Sequence, residues 1–167
     1  MLPLTPINFI AYFSVAWGAN IALNLIYVIK RYFPETKKYD YPLDCGLKYR
    51  KERLLGDSIT MQGLIISLII SLALEIATQQ TMWTIVPLAV YGGDILGSFI
   101  KRRLHCRRGD YLPIIDHGNY MILLGLIFLI AGYADIWFVL LAILLNYILH
   151  PLACWLAFKL KLRQLPY

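Results

Sequence analysis

Five apolar stretches, each close to the length of a membrane span, dominate this chain and limit what it can fold into. An α-helix needs about 20 apolar residues to cross the hydrocarbon core of a bilayer. Backbone polar groups in lipid must be paired within the protein, so such stretches form helices. They lie at about 7–29, 58–79, 82–100, 118–134 and 136–158.

The composition supports the same interpretation. Hydrophobic residues make up 59% of the 167 residues, against about 45–50% in a typical soluble domain. Five spans leave room only for short connections, which excludes a separate soluble domain. We therefore predict an all-α integral membrane protein with one transmembrane domain over residues 1–167.

The positive charges are confined to three segments, and this pattern orients the helices. All 16 Lys and Arg residues lie in Lys30–Arg53, Lys101–Arg108 and Lys159–Arg163, which follow spans 1, 3 and 5. Lys and Arg accumulate on the cytoplasmic side of membrane proteins. We predict a multi-pass protein of the cell membrane with its N-terminus outside and its C-terminus in the cytoplasm. Its cytoplasmic loops would cover about 30–57 and 101–117.

Asp94 lies inside the third span, where a carboxylate is costly to bury and usually functional. On a helix, Asp94, Ser98 and Lys101 fall within an arc of about 60°, so the three side chains can face one cavity. Pro87 and the glycines beside Asp94 favour either a broken helix or a close approach between backbones. The simpler alternative is an intramembrane ion pair beside a glycine packing seam.

The two predicted cytoplasmic loops mix carboxylates with basic residues. Asp57 and Ser58 stand at the start of span 2 and Asp116 at the start of span 4, where each aspartate could instead be a helix N-cap. Acids among bases suit a divalent metal with a polyphosphate, since carboxylates hold Mg²⁺ while bases and helix N-termini hold phosphate oxygens. Nucleotidyl transfer needs little beyond such positioning. A phosphate monoester, whose second pKa is about 6, could attack without a strong general base.

Several short motifs follow one another along these loops. They are Asp44-Cys45-Gly46, Arg53-Leu54-Leu55-Gly56-Asp57-Ser58-Ile59-Thr60 before Gly63, Gly93-Asp94, Gly97-Ser98-Phe99-Ile100-Lys101-Arg102-Arg103, Pro113 and Asp116. This ordered set resembles the CDP-archaeol synthases, the archaeal branch related to the CDP-diacylglycerol synthases. The resemblance covers almost the whole chain. The chain departs from the family pattern at Ile59, Gln62 and Asn119, where members often have Lys, Arg and Asp.

The resemblance implies a membrane nucleotidyltransferase that moves a cytidylyl group from CTP, with Mg²⁺, onto a prenylated glycerol phosphate lipid. In that family the lipid is 2,3-bis-O-geranylgeranyl-sn-glycerol 1-phosphate, the product is CDP-archaeol and pyrophosphate is released. The resemblance implies that Asp57, Asp94 and Asp116 bind metal and that Asp94, Lys101 and Asp116 are catalytic. It implies substrate binding by Arg53, Ser58, Thr60, Ser98 and Arg102.

Other functions remain open from the sequence. A CDP-diacylglycerol synthase-like enzyme would share this chemistry on another lipid. A CDP-alcohol phosphotransferase would also carry clustered Asp residues, but its spaced signature is absent. A small carrier could use Asp94 as its coupling carboxylate without consuming CTP, and a lipid-binding scaffold would need none of the loop acids. No nucleic-acid partner is predicted.

The remaining polar residues in the spans have simpler expected roles. Asn20 and Asn24 share a face of span 1, and Asn146 and His150 share a face of span 5, so we expect interhelical hydrogen bonds. Glu75 lies about 27 Å along a straight helix from the start of its span, which predicts a place near the outer surface. No disulfide is expected on the reducing side of the membrane. Zinc-site spacing is lacking among Cys45, Cys106, His105 and His117.

Overall fold

The computed structural model describes residues 5–49, 52–56, 58–106 and 110–160. Five helices, each long and apolar enough to cross a membrane, make up most of this part of the chain. The predicted all-α membrane class with five spans is confirmed. The helices are α1 Pro6–Tyr32, α2 Met61–Thr78, α3 Thr81–Arg103, α4 Pro113–Ile130 and α5 Ile136–Lys159; a 3-10 helix covers Pro34–Tyr39, and β1 Lys48–Tyr49 and β2 Glu52–Arg53 form a small hairpin.

Local capping explains where several helices begin. The Thr5 hydroxyl accepts a hydrogen bond from the Asn8 backbone N–H (3.3 Å) in front of α1. The Asp135 carboxylate accepts one from the Phe138 backbone N–H (2.8 Å) in front of α5. Each bond pairs a donor that the helix itself leaves without a partner. Pro113 opens α4, a position where proline loses only a donor that would have no helical partner.

Two helix starts differ from the boundaries taken from hydropathy. Helix α4 begins at Pro113 rather than near residue 118, so Asp116 lies within its first turn. Helix α2 begins at Met61 with Thr60 as its N-cap. Ser58 therefore precedes the cap, which corrects the alternative that the helix is capped there. Asp57 lies outside the described residues.

Helix α3 is the centre of the bundle. It packs against α1, α2 and α4, while α5 packs against α4 and α1. Between α1, α4 and α5 the fully buried rings of Tyr12, Phe128 and Phe138 meet edge to face, with centroids 5.2 and 5.3 Å from Tyr12. Outward apolar side chains such as Leu72 and Ile76 are exposed, as expected for a surface that faces lipid.

Glycines bring α3 and α4 into close backbone contact. A Cβ added at Gly93 would lie 2.3 Å from the Cα of Tyr120, and one added at Gly97 would lie 2.7 Å from the Asn119 amide nitrogen. Helix α3 continues without interruption past Pro87 to Arg103. Of the two expectations for this segment, the structure shows close approach rather than a broken helix. The seam sets Asp94 directly opposite α4.

The segment between α1 and α2 is organised by Asp44, whose side chain is buried. One carboxylate oxygen accepts from Gly46 N–H (3.0 Å) and from the Arg53 guanidinium (2.6 Å), and the other accepts from Leu55 N–H (3.1 Å). Burial would raise the pKa of Asp44, but the Arg53 bond and the two backbone donors outweigh it and hold this pKa below its ordinary value. The paired strands place Lys48 opposite Arg53.

Backbone bonds then tie this segment to the start of α2. Leu43 N–H donates to the Ile59 carbonyl (3.0 Å), and Met61 N–H donates to the Tyr41 carbonyl (2.8 Å). These bonds satisfy backbone groups that would otherwise have no helical partner. The segment between α1 and α2 is therefore folded against the start of α2, next to the glycine seam.

Candidate active site

The site is built around Asp94, which is half-buried on α3 one turn before Ser98. Its carboxylate accepts a hydrogen bond from the Asn119 amide of α4 (3.2 Å), and the charge of Asp116 also acts on it. Asn119 is the α4 residue that contacts this carboxylate directly. A neutral amide can donate to Asp94, whereas a second carboxylate would repel it.

Lys101 and Asp116 join the end of α3 to the start of α4. The Lys101 ammonium lies 2.8 and 3.0 Å from the two Asp116 oxygens, and one of these oxygens also accepts from Leu112 N–H (2.8 Å). Asp116 is therefore not the N-cap, since Leu112 holds that position. Its carboxylate lies in the first turn of α4, accepts from the N-cap N–H and pairs with the lysine. Both side chains keep some exposure, 15% for Lys101 and 28% for Asp116.

A small cavity of about 30 Å³ lies beside Asp94 and is enclosed by α1, the start of α2 and α3. Such a volume holds a water molecule or an ion but not a nucleotide. A larger ligand would therefore reach Asp94 from the loops outside this cavity. The lining residues are Leu23, Asn24, Lys30, Ser58, Ile59, Thr60, Gly63, Tyr91 and Asp94.

Lys30 and Tyr91 belong to this site, although the sequence did not indicate them. Lys30 is only 7% exposed, lines the cavity, and pairs with Asp40 at 2.6 Å. The Tyr91 hydroxyl donates to the Thr60 carbonyl (2.5 Å) and so holds the start of α2 against α3. The available signal was that the apolar pattern of α1 continues beyond residue 29, which puts Lys30 on a helix rather than in a loop.

Three arginines lie where the hairpin segment meets the end of α3. Arg102 packs over Gly56, whose backbone is left-handed (φ +86°), and its Nε is buried without a partner in the described part of the chain. Arg103 donates to the Arg53 carbonyl (3.3 Å) and stacks over the Tyr49 ring at 4.9 Å. Arg53 itself is held by Asp44, so it supports the hairpin.

The structure brings together some of the predicted site residues and separates others. Asp94, Ser58 and Thr60 line one cavity. Lys101 and Asp116 form a pair beside it, and Ser98 is half-buried between Asp94 and Lys101 on α3. Arg53 is turned towards Asp44, Arg102 towards Gly56, and Asp57 lies outside the described residues, between Gly56 and Ser58.

A second polar group links α1, α4 and α5. Asn146 accepts from the Trp17 indole (3.1 Å) and the Tyr120 hydroxyl (2.7 Å), and donates to the carbonyl of His117. Asn20 lies 3.5 Å from His150 across α1 and α5. The predicted interhelical hydrogen bonding is confirmed for Asn20, Asn146 and His150. It is wrong for Asn24, whose side-chain amide donates to Asn20 within α1.

Comparison with known proteins decides the family. The family model described as CarS-like, CDP-archaeol synthase, matches residues 20–167. The chain belongs to this family. As a CDP-archaeol synthase family member, it is a membrane nucleotidyltransferase that forms CDP-archaeol by CTP-dependent cytidylyl transfer.

Individual relatives of this CDP-archaeol synthase family member agree. The CDP-archaeol synthase of Methanopyrus kandleri is 30% identical over 137 residues, covering 75% of this chain and 79% of the relative. That of Sulfolobus acidocaldarius is 28% identical over 163 residues, covering 89% of this chain and 99% of the relative. A solved structure of an intramembrane enzyme for archaeal membrane lipid biosynthesis shares the fold, with a TM-score of 0.65, 24% identity and coverage of 89% and 94%.

Proposed function

We propose that this chain uses 2,3-bis-O-geranylgeranyl-sn-glycerol 1-phosphate as its lipid substrate and reacts it with CTP at the Asp94–Asp116 end of the bundle. The observation that carries this proposal is the meeting of Asp94, Asn119 and the Lys101–Asp116 pair at the α3–α4 seam. Acids and a base are there placed on rigid helices, and Arg102 and Arg103 follow Lys101 at the end of α3. Positioning and charge neutralisation are the main requirements of nucleotidyl transfer.

The carboxylates of Asp94 and Asp116 offer hard oxygen ligands, the ligand type that Mg²⁺ prefers. They would hold the ion, with Asp57 as a third candidate from the sequence. When bound, Mg²⁺ would neutralise charge on the phosphate oxygens of the nucleotide. Asn119 orients Asp94 for this role by donating to one of its oxygens.

The basic and hydroxyl residues would bind the triphosphate. The Lys101 ammonium contacts Asp116, and it would stabilise the negative charge of the departing pyrophosphate. The buried Nε of Arg102 has no partner in the described part of the chain, and phosphate oxygen is a natural acceptor for it. Ser58, Thr60 and Ser98 would add hydroxyl donors around the same position.

The lipid phosphate would attack the α-phosphorus of CTP, forming the new P–O bond as the bond to pyrophosphate breaks. Its second pKa of about 6 leaves it largely dianionic at neutral pH, so no strong general base is required. A groove of about 240 Å³ lies on the α1–α2 side. It would take part of an isoprenoid chain, because the surface exposed inside it is mostly apolar. Its lining residues are Ile29, Lys30, Thr36, Gln62, Ile65 and Ile66.

The site would open to the cytoplasm, where CTP is made. The basic segments that begin at Lys30 and Lys101 both lie at this end of the bundle, together with the Asp94 cavity. The positive-inside rule then supports an N-terminus outside and a C-terminus inside the cell membrane.

The test is product formation by purified protein in detergent with CTP labelled at the α-phosphate, Mg²⁺ and one lipid phosphate at a time. We expect label in a CDP-lipid and an equal amount of pyrophosphate with the geranylgeranyl ether lipid. Phosphatidic acid of matched chain volume is the control, and it should react more slowly. Equal rates with phosphatidic acid would overturn the lipid assignment. No release of pyrophosphate with either lipid would overturn the proposed reaction.

A further inference from the structure

Two histidines and a cysteine form a compact group where the start of α4 packs against the end of α5. The group is separate from the carboxylates described above. His117 lies on α4, and His150 and Cys154 lie on α5. One ligand atom from each residue lies within 4.8 Å of the others. His117 and Cys154 are buried and His150 is half-buried, so the group is shielded from bulk water.

The sequence spacing explains half of this arrangement. His150 and Cys154 are four residues apart on one helix, and residues at that spacing lie on the same face. His117 reaches them from α4, and its own carbonyl is fixed by the side-chain amide of Asn146. The group is completed only by the contact between two helices, so the sequence contains no local zinc-binding motif for it.

The inner atoms of the group face one another. The Nδ1 atoms of His117 and His150 lie 2.8 Å apart, and the Cys154 sulfur lies 3.5 Å from the Nδ1 of His150. Tetrahedral ligands on Zn²⁺, with Zn–N distances of about 2.0–2.1 Å, would be about 3.3 Å apart. The two imidazoles would therefore separate by roughly half an ångström, a shift that a side-chain rotation provides.

The outer atoms of both imidazoles already have partners. The Tyr111 hydroxyl lies 2.5 Å from His117 Nε2, and the Asn20 side chain lies 3.5 Å from His150 Nε2. Outer partners of this kind fix the orientation of histidines that bind metals.

We propose that His117, His150 and Cys154 bind one late transition metal ion, of which Zn²⁺ is the representative, at a site distinct from the Asp94 carboxylates. Two imidazoles and a thiolate suit such ions and are poor ligands for Mg²⁺. The bound ion would cross-link α4 to α5 one residue after Asp116, and so would hold the first turn of α4 in place.

The first test is Co²⁺ titration of the full chain in detergent after treatment with a chelator. We expect one equivalent to bind, with the visible bands of tetrahedral Co²⁺ and a near-ultraviolet thiolate band, and excess Mg²⁺ should not displace it. Cys154→Ser should remove the thiolate band and weaken binding at least about tenfold. Cys106→Ser and His105→Asn, which alter a cysteine and a histidine outside the group, should bind Co²⁺ like the natural chain.

A second measurement does not depend on any variant. X-ray absorption of the Zn²⁺-loaded natural chain should give two nitrogen neighbours and one sulfur neighbour from protein, and Zn²⁺ should raise the unfolding temperature because it binds only the folded form. Absence of stoichiometric binding, or an all-oxygen shell, would overturn the proposal and leave a hydrogen-bonded histidine pair. Activity with CTP and Mg²⁺ is read separately, so failure here leaves the proposed function untouched.

Discussion

Asp94 and Glu75 are both carboxylic acids within apolar helices, and both are half-buried, yet their surroundings differ. The carboxylate of Glu75 on α2 accepts a hydrogen bond from the Thr84 hydroxyl at the start of α3. Asp94, in the second half of α3, has an amide from α4, a second acid nearby and Lys101 beside that acid.

The difference shows that burial of an acid is a weak indicator of function on its own. The Glu75 carboxylate accepts from one local hydroxyl, and within the described part of the chain no basic residue forms an ion pair with it. The Asp94 site brings charged groups of both signs from two helices, and two arginines follow Lys101 at the end of α3. Such convergence costs stability in a membrane, and it is expected where the charges do chemistry.

The largest expected effect comes from Asp94→Asn. This change keeps the size of the side chain and removes the charge, so we expect turnover to fall by about 10³-fold or more, as for loss of a key electrostatic group. The measurement is the initial rate of CDP-lipid formation by purified protein. Thermal unfolding in detergent should change little. A variant that folds normally and keeps near-normal turnover would contradict the role of Asp94.

Lys101→Ala should have the next largest effect. It removes the ammonium that neutralises Asp116 and, in our proposal, the leaving pyrophosphate, so we expect kcat/KM for CTP to fall by about 10²-fold. Lys159→Ala, at the end of α5, is the matched control because that lysine contacts the Trp155 ring and not an acid of the site. Unchanged dependence of the rate on CTP in Lys101→Ala would remove this lysine from the site.

Asp44→Asn tests what holds together the segment between α1 and α2, which lies at the Asp94 end of the bundle. Since its pKa is lowered in the folded state, its contribution to stability is present above its ordinary pKa near 3.8 and is lost as the pH falls below that value. We expect Asp44→Asn to cost on the order of 2 kcal/mol near neutral pH, the range for bonds to a charged group. The difference in unfolding temperature from the natural chain should shrink towards pH 3. A pH-independent difference would argue against the charged Asp44–Arg53 bond.

Glu75→Gln should have the smallest effect. The amide oxygen can still accept from Thr84, and no part of the proposed chemistry reaches this end of α2. We expect the rate of CDP-lipid formation to stay within about twofold, the usual range for substitutions away from structural or functional groups. A folded but inactive Glu75→Gln protein would show that the two ends of the bundle are coupled.

Much of the fold could be predicted because a helix needs about 20 apolar residues to cross a bilayer, so each span is visible as an apolar run in the sequence. Runs of apolar residues defined the five helices, and helical spacing placed Asp94 and Lys101 on one face. The glycines beside Asp94 indicated either a break or close contact. Only the packed structure decides between these, because the decision depends on the backbone of Tyr120 on another helix.

The parts that could not be predicted are those that depend on contacts between distant segments. Arg53 belongs to a motif suited to phosphate binding, but its partner is the buried Asp44, which hydropathy treats as a loop residue. Lys30 looked like a topological charge and lies in the wall of the cavity. His117 and His150 are far apart in sequence and come together because α4 and α5 pack side by side.

The central claim is that Asp94 and Asp116 share a divalent ion, and electron paramagnetic resonance of Mn²⁺ measures this most directly. Mn²⁺ replaces Mg²⁺ at oxygen sites and binds nitrogen and sulfur ligands weakly. With purified protein and CTP, we predict one bound Mn²⁺ in the natural chain and in Glu75→Gln, with binding weakened at least about tenfold in Asp94→Asn and Asp116→Asn. Unchanged Mn²⁺ affinity in both aspartate variants would contradict the account.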